Sequence, residues 1–104
     1  ENTIEIVKKN IEDPEFDVKQ LIEEMQVSNS MLYRKLKALT NLSPNEFIRN
    51  IRLKTATELL RQKKGNISEI AYQVGFKDAR YFSVCFKKEF NMTPSEYMEK
   101  SQSI

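Results

Sequence analysis

Residues Ile67 to Pro94, ISEIAYQVGFKDARYFSVCFKKEFNMTP, decide how the rest of the 104-residue chain is read. Ile67, Ile70, Ala71 and Val74 recur at i, i+3, i+4 and i+7, which puts an apolar stripe on one face of a helix. Gly75 follows at once, where a helix end needs a residue tolerant of the left-handed conformation. Phe76 supplies the apolar contact that accompanies such a stop. Asp78 is placed to cap a second helix by accepting hydrogen bonds from its free amides. In that helix Phe82 and Phe86, with Tyr81, Cys85 and Phe90 beside them, form the expected buried side. Ala79, Arg80, Ser83, Val84, Lys87 and Lys88 are left for an outer face that is small, polar and basic. A helix, a tight turn with glycine and a second helix with a basic outer face make a helix-turn-helix, the unit that lays its second helix in a DNA major groove.

Outward from this stretch, the same layout stands once more upstream. NLSPNEF at 41–47 matches NMTPSEY at 91–97, a shift of fifty residues that also sets Ser28 on Asp78, Leu32 on Phe82, Leu36 on Phe86 and Lys37 on Lys87. Before the turn the shift is forty-nine, with Val18 on Ile67, Leu21 on Ile70 and Met25 on Val74, so the second copy has one extra residue in its turn. A duplicated supersecondary unit is a far stronger signal than a single one.

The remaining elements follow from periodicity and caps. Ile4, Val7 and Ile11 predict a first helix, with Asn2 as its cap and Glu5 three residues on, ended by Asp13-Pro14. Asp17 and Gln20 open a second with Val18, Leu21, Ile22 and Met25 inward. Ser28 caps a third that runs to about Thr40, with Leu32, Leu36 and Leu39 inward and Asn29, Ser30, Tyr33, Arg34 and Lys37 outward. Ser43 and Thr93 are N-caps, Pro44 and Pro94 take the first helical position, and Glu46 and Glu96 complete capping boxes. From Pro44 the apolar positions 47, 48, 51, 53, 56, 59 and 60 continue to about Lys63, a helix of about nineteen residues and roughly 28 Å. Lys64-Gly65-Asn66 stops it, and Asn66 with Glu69 opens the next. The expectation is an all-α chain of about seven helices: two helix-turn-helix subdomains, 1–42 and 65–104, joined by a long connector helix over 43–64.

Composition narrows the function. Without histidine there is no Ser-His-Asp or Cys-His arrangement, and one cysteine builds no zinc site. Two glycines make no phosphate-cradling loop. An enzyme is therefore not expected, nor a cofactor, a metal or a small-molecule ligand. No apolar run reaches the roughly 18 residues of a membrane span, the N-terminus carries no signal-peptide pattern, and the lone cysteine fits a reducing compartment, so a cytoplasmic location is expected. Cys85 reads as a small packed side chain. Net charge is only +2, but residues 1–27 hold three basic and eight acidic side chains, whereas residues 28–92 hold thirteen basic and five acidic. Such a surface can face a polyanion with one side.

The pattern resembles the DNA-binding domain of AraC/XylS-type transcription regulators. Ser28 and Leu32 carry the likeness in the first unit, and Arg52-Leu53, Ala56, Leu59 and Leu60 in the connector. Ile67, Glu69-Ile70-Ala71, Gly75-Phe76, Tyr81-Phe82-Ser83, Phe86-Lys87-Lys88 and Thr93-Pro94 carry it in the second. LYRKLKALTNLSPNEFIRNIRL and the 67–94 stretch are also similar to the C-terminal output domain of Bacteroides-type hybrid two-component regulators, sensor kinases fused to a response regulator. The resemblance implies sequence-specific double-stranded DNA binding by an activator, with RNA polymerase as a further partner. It also implies dimerisation through segments outside this chain and, for a hybrid sensor kinase, a parent anchored in the inner membrane.

Carried over position by position, the family's base-reading residues fall on Ser30, Tyr33 and Arg34, and on Ala79, Arg80, Ser83 and Val84. Asn29, Lys37, Lys77, Lys87 and Lys88 are left for phosphates, which set affinity and register rather than sequence. Two departures matter. Val84 stands where the family often has arginine, so it can touch a thymine methyl but donates no hydrogen bond. Gln26 replaces the usual turn glycine of the first unit. Arg52 reads as structural, paired with a carboxylate such as Asp78 or Glu89. The rival reading is a helix-turn-helix used to bind protein, with these charges as a solvated face.

Overall fold

Side-chain caps set where most of the helices begin. In the computed structural model, which describes residues 3–102, there are seven helices and no strand among those residues. They are α1 (Thr3–Lys9), α2 (Val18–Met25), α3 (Asn29–Thr40), α4 (Pro44–Arg61), α5 (Ile67–Gln73), α6 (Ala79–Phe90) and α7 (Pro94–Gln102). Asp17 accepts from the Gln20 amide at 3.1 Å and Ser28 from the Met31 amide at 3.1 Å, opening α2 and α3. Asp78 opens α6 through the Arg80 amide at 2.8 Å. Reciprocal capping boxes join Ser43 to Glu46, Asn66 to Glu69 and Thr93 to Glu96. The expected Asn2 cap lies outside the described residues.

Two of these boxes carry a pH dependence. The backbone amides of Ser43 and Thr93, and then their hydroxyls, hold the Glu46 and Glu96 carboxyls below the ordinary value of 4.5. A depressed folded-state pKa adds stability above the unfolded value, and that stability is lost as pH falls through the folded one. The melting temperature should therefore drop on acidification below about pH 4.5. A Glu46→Gln/Glu96→Gln variant keeps the acceptors and loses the titration, so its fall should be shallower. Melting curves from pH 6 to pH 2.5 followed by circular dichroism check this, and superimposable pH dependences would refute it.

The core has two parts that share α4. Ile6, Val7, Phe16, Leu21, Leu32 and Leu36 close on Phe47, Ile48 and Ile51 from the first half of α4. Leu53, Ala56 and Leu60 from its second half meet Ile70, Ala71, Val74, Phe76, Phe82 and Phe86, with Tyr97 and Met98 of α7 against them. Phe82 and Phe86 extend an aromatic run, with centroids 5.2 Å from Phe76 to Phe82 and 4.6 Å from Phe86 to Phe90.

Four expectations need correction. In α1 the inward pair is Ile6 and Val7, and Ile4 is exposed. Leu39 is 73% exposed, because the chain turns at Asn41 and Leu42 packs against the first core in its place. Tyr81 is 51% exposed: it flanks the inward line of Phe82 and Phe86, resting only one side of its ring on Phe76 at 6.0 Å. The connector ends at Arg61 rather than near Lys63, since Lys63 itself adopts the left-handed conformation at φ 55° and closes the helix. Its 18 residues span about 26 Å.

Arg52 is the fifth correction. It is only 6% exposed, yet its partners are backbone carbonyls and not Asp78 or Glu89. Its guanidinium donates to Ile11 (2.9 Å), Val74 (2.8 Å), Asp13 (3.2 Å) and Phe16 (3.2 Å). Glu89 instead accepts from Asn50 at 3.1 Å, and Asp78 caps α6. Arg52 thus ties the segment after α1 to the C-terminal end of α5, which joins the first unit to the second. Burial lowers its pKa and the Asp13 charge opposes that shift. Gly75 serves the same joint. At φ +90° its amide and that of Phe76 close α5 through Tyr72 and Ala71, and a Cβ there would lie 1.4 Å from the Arg52 Nη1.

Candidate nucleic-acid interface

The second helix of each unit presents a polar and basic outer face because its apolar residues are spent inward. In α3, Leu32 and Leu36 face the core. Asn29, Ser30, Tyr33 and Arg34 line one shallow hollow on the opposite side of the helix, all four exposed. Lys37 is exposed one turn further on. In α6, Phe82 and Phe86 face the core. Arg80, Ser83, Val84, Lys87 and Lys88 line the equivalent hollow, joined by Thr93, the residue that caps α7. Val84 stands 59% exposed there, an apolar surface between the stems of cationic side chains. Ser83 is half-buried.

Three of the expected residues stand apart from these hollows, Lys37 among them. Ala79 is half-buried and packs on the second core, which leaves less of it for a ligand. Lys77 lies in the turn and pairs with Glu15 at 2.9 Å, both side chains solvent-exposed. The turns differ as the sequence implied. Eleven residues separate the starts of α2 and α3, and twelve those of α5 and α6. Gln26 takes the left-handed conformation at φ 58° without glycine's freedom. Among the described residues no cluster of His, Cys, Asp or Glu could hold a metal, and no helix is long and apolar enough to cross a membrane.

Two helix-turn-helix units on one shared helix, each with an exposed basic second helix, define a duplicated DNA-reading domain. The helix-turn-helix domain family matches residues 21–100, and the chain belongs to its AraC-type members. It is 53% identical over 95 residues to Histidine kinase P4 of Formosa agariphila, covering 91% of this chain and 7% of that protein. It is 38% identical over 74 residues to the HTH-type transcriptional activator RhaS of Escherichia coli, covering 71% of this chain and 27% of that one. The chain thus spans a minor part of the relatives it matches. Among solved structures, an AraC-type transcriptional regulator of Chromobacterium violaceum superposes with a TM-score of 0.89 at 27% identity, over 97% of this chain and 89% of that one. The C-terminal domain of AraT, a response regulator of Geobacillus stearothermophilus, does so with a TM-score of 0.83 at 28% identity, over 94% and 81%.

Proposed function

We propose that this chain is the sequence-specific DNA-binding output domain of a transcription activator, with α3 and α6 entering successive major grooves of one duplex. The observation that carries this reading is the pair of exposed hollows, one per unit, that gather nine of the expected contact residues onto two second helices. Ser30, Tyr33 and Arg34 read one cluster of bases, and Arg80, Ser83 and Val84 the other, with Ala79 at its edge. Arginine can take guanine O6 and N7 together, and Val84 can take a thymine methyl. Asn29, Lys37, Lys77, Lys87 and Lys88 hold phosphates. The kinase relative and the response-regulator neighbour support a parent in two-component signalling; in this reading that parent is a hybrid sensor kinase anchored in the inner membrane, with this domain in the cytoplasm. Such a parent pairs two copies through segments outside this chain and recruits RNA polymerase. The units correspond to 1–42 and 65–104, with 43–64 between them.

Selection from random duplex DNA tests the reading and supplies the preferred site. On that site, about six phosphate contacts predict a slope near −5 for the logarithm of affinity against that of salt. A slope near zero would favour the protein-binding rival. Arg80→Ala should cost about 1–3 kcal/mol and relax preference at one base position, while Lys87→Ala should weaken all sequences alike. Equal losses on preferred and random duplexes for Arg80→Ala would make Arg80 a phosphate contact instead.

A further inference from the structure

We propose a third DNA contact, in which Arg49 of α4, with Tyr81 and Lys88 of α6, grips backbone phosphates lying between the two base clusters. It rests on the DNA reading above and adds residues which that reading does not use. Arg49 stands one helical turn before Arg52 on the helix that both cores share. It lines two neighbouring hollows, one toward Phe16 and Asp17 at the start of α2, the other toward Val84 and Lys88 of α6. Tyr81 lines both. Arg49 and Tyr81 therefore form the ridge between the units.

The ridge continues the reading face of α6. Tyr81, Val84 and Lys88 follow at i, i+3 and i+7 along one exposed side of the helix, and Val84 and Lys88 also line the hollow shared with Arg80 and Ser83. Arg49, half-buried, lines a second hollow with that same Val84 and Lys88.

The balance of charge in the hollow toward α6, two cations against one carboxylate, favours an anion. Each carboxylate around the ridge has a neutral hydrogen-bond donor, which orients it and leaves its negative charge in place. Asp17 takes the Gln20 amide, Asp78 the Arg80 amide, Glu89 the Asn50 side chain, and Glu46 the Ser43 amide. Arg49 makes no hydrogen bond or close ion pair among the described residues, although its charge acts on Glu46 one turn before it, in contrast to Arg52, whose guanidinium is consumed by four carbonyls. The cleft carries two cations, Arg49 and Lys88, and one carboxylate, Glu89, together with a phenol whose ring rests on Phe76. An arginine fork, an ammonium and a phenolic hydroxyl suit phosphate oxygens. Two helices in successive major grooves straddle a minor groove, and the phosphates that border it are the part of the duplex facing the middle of the protein. Contact there adds affinity without base preference.

The test uses the preferred duplex, a random duplex, and the preferred duplex with neutral methylphosphonate linkages placed midway between the base clusters. Arg49→Gln should lower affinity on the order of tenfold on preferred and random duplexes alike, and reduce the salt slope by about 0.9. The neutral linkages should weaken the wild-type domain by a similar factor and leave Arg49→Gln unchanged. Tyr81→Phe should give a smaller loss of the same pattern. Overturning results are an unchanged affinity and slope for Arg49→Gln, or equal weakening of wild type and variant by the neutral linkages. Melting curves establish that the variant is folded, and the methylphosphonate arm on the wild-type protein stands without it. If the wild-type domain binds no DNA, the DNA reading itself fails and this contact with it.

Discussion

Replacing Arg52 with methionine should lower the melting temperature by about 10–25 °C, equivalent to roughly 2–4 kcal/mol for a domain of this size. Two effects oppose each other. The variant no longer carries a buried charge, and the lowered pKa of Arg52 shows that burial is unfavourable to that charge. Against this, four carbonyls lose their donor, and two of those hydrogen bonds, to Val74 and Phe16, are fully buried. An orphaned buried acceptor costs about 1–3 kcal/mol, so the lost donors should dominate. Gly75→Ala should be comparably harmful, since its Cβ would overlap the Arg52 guanidinium and also lie 2.4 Å from the Ile11 carbonyl oxygen. The two residues share one joint, so the double variant should be less destabilised than the sum of the single ones. Additive losses, or an Arg52→Met domain that melts like the wild type, would show that the joint does not hold the units together. Thermal unfolding of the three variants measures this.

Insertion of five base pairs between the two base clusters of the preferred site should reduce affinity nearly to the non-specific level, on the order of a thousandfold. Helices α3 and α6 are carried by one unbroken connector of about 26 Å in a domain 44 Å long, which suits major grooves about 34 Å apart. Five added base pairs turn the second cluster to the far side of the duplex. Ten restore the side, but the connector cannot lengthen to reach it. Fluorescence anisotropy on the three spacings would show the original tight and both insertions weak. Equal affinity on all three would mean that one unit alone reads DNA. Arg52 bears on this result as well. Loss of its carbonyl contacts should leave α4 as the main tie between the units, and the Arg52→Met domain, assayed well below its melting point, should discriminate less among the spacings.

The sequence by itself determined the starts of α2 to α7, the duplication and the family. Its signals for these act over three or four residues or repeat at a fixed period: a serine or asparagine cap with glutamate three positions on, or an apolar stripe with period 3.6. The outward residues of α3 and α6 were legible for the same reason, as what remains when Leu32, Leu36, Phe82 and Phe86 turn inward. Tertiary structure decided the rest. Phe16 belongs to no stripe and is buried only because the segment between α1 and α2 folds over α4. Tyr81 sits one position from the inward line, and an aromatic residue there can turn either way until the position of Phe76 is known. Arg52 shows the limit most directly. A buried arginine in a sequence suggests a carboxylate partner, but its four acceptors here are main-chain oxygens 22 to 41 residues distant. Every residue carries such an oxygen, so no residue type marks the ones that end up beside it. The same physics separates Arg49 from Arg52, two arginines one turn apart on one helix. One is consumed by carbonyls that only the folded chain brings to it, and the other makes no hydrogen bond among the described residues and lines the hollow toward α6.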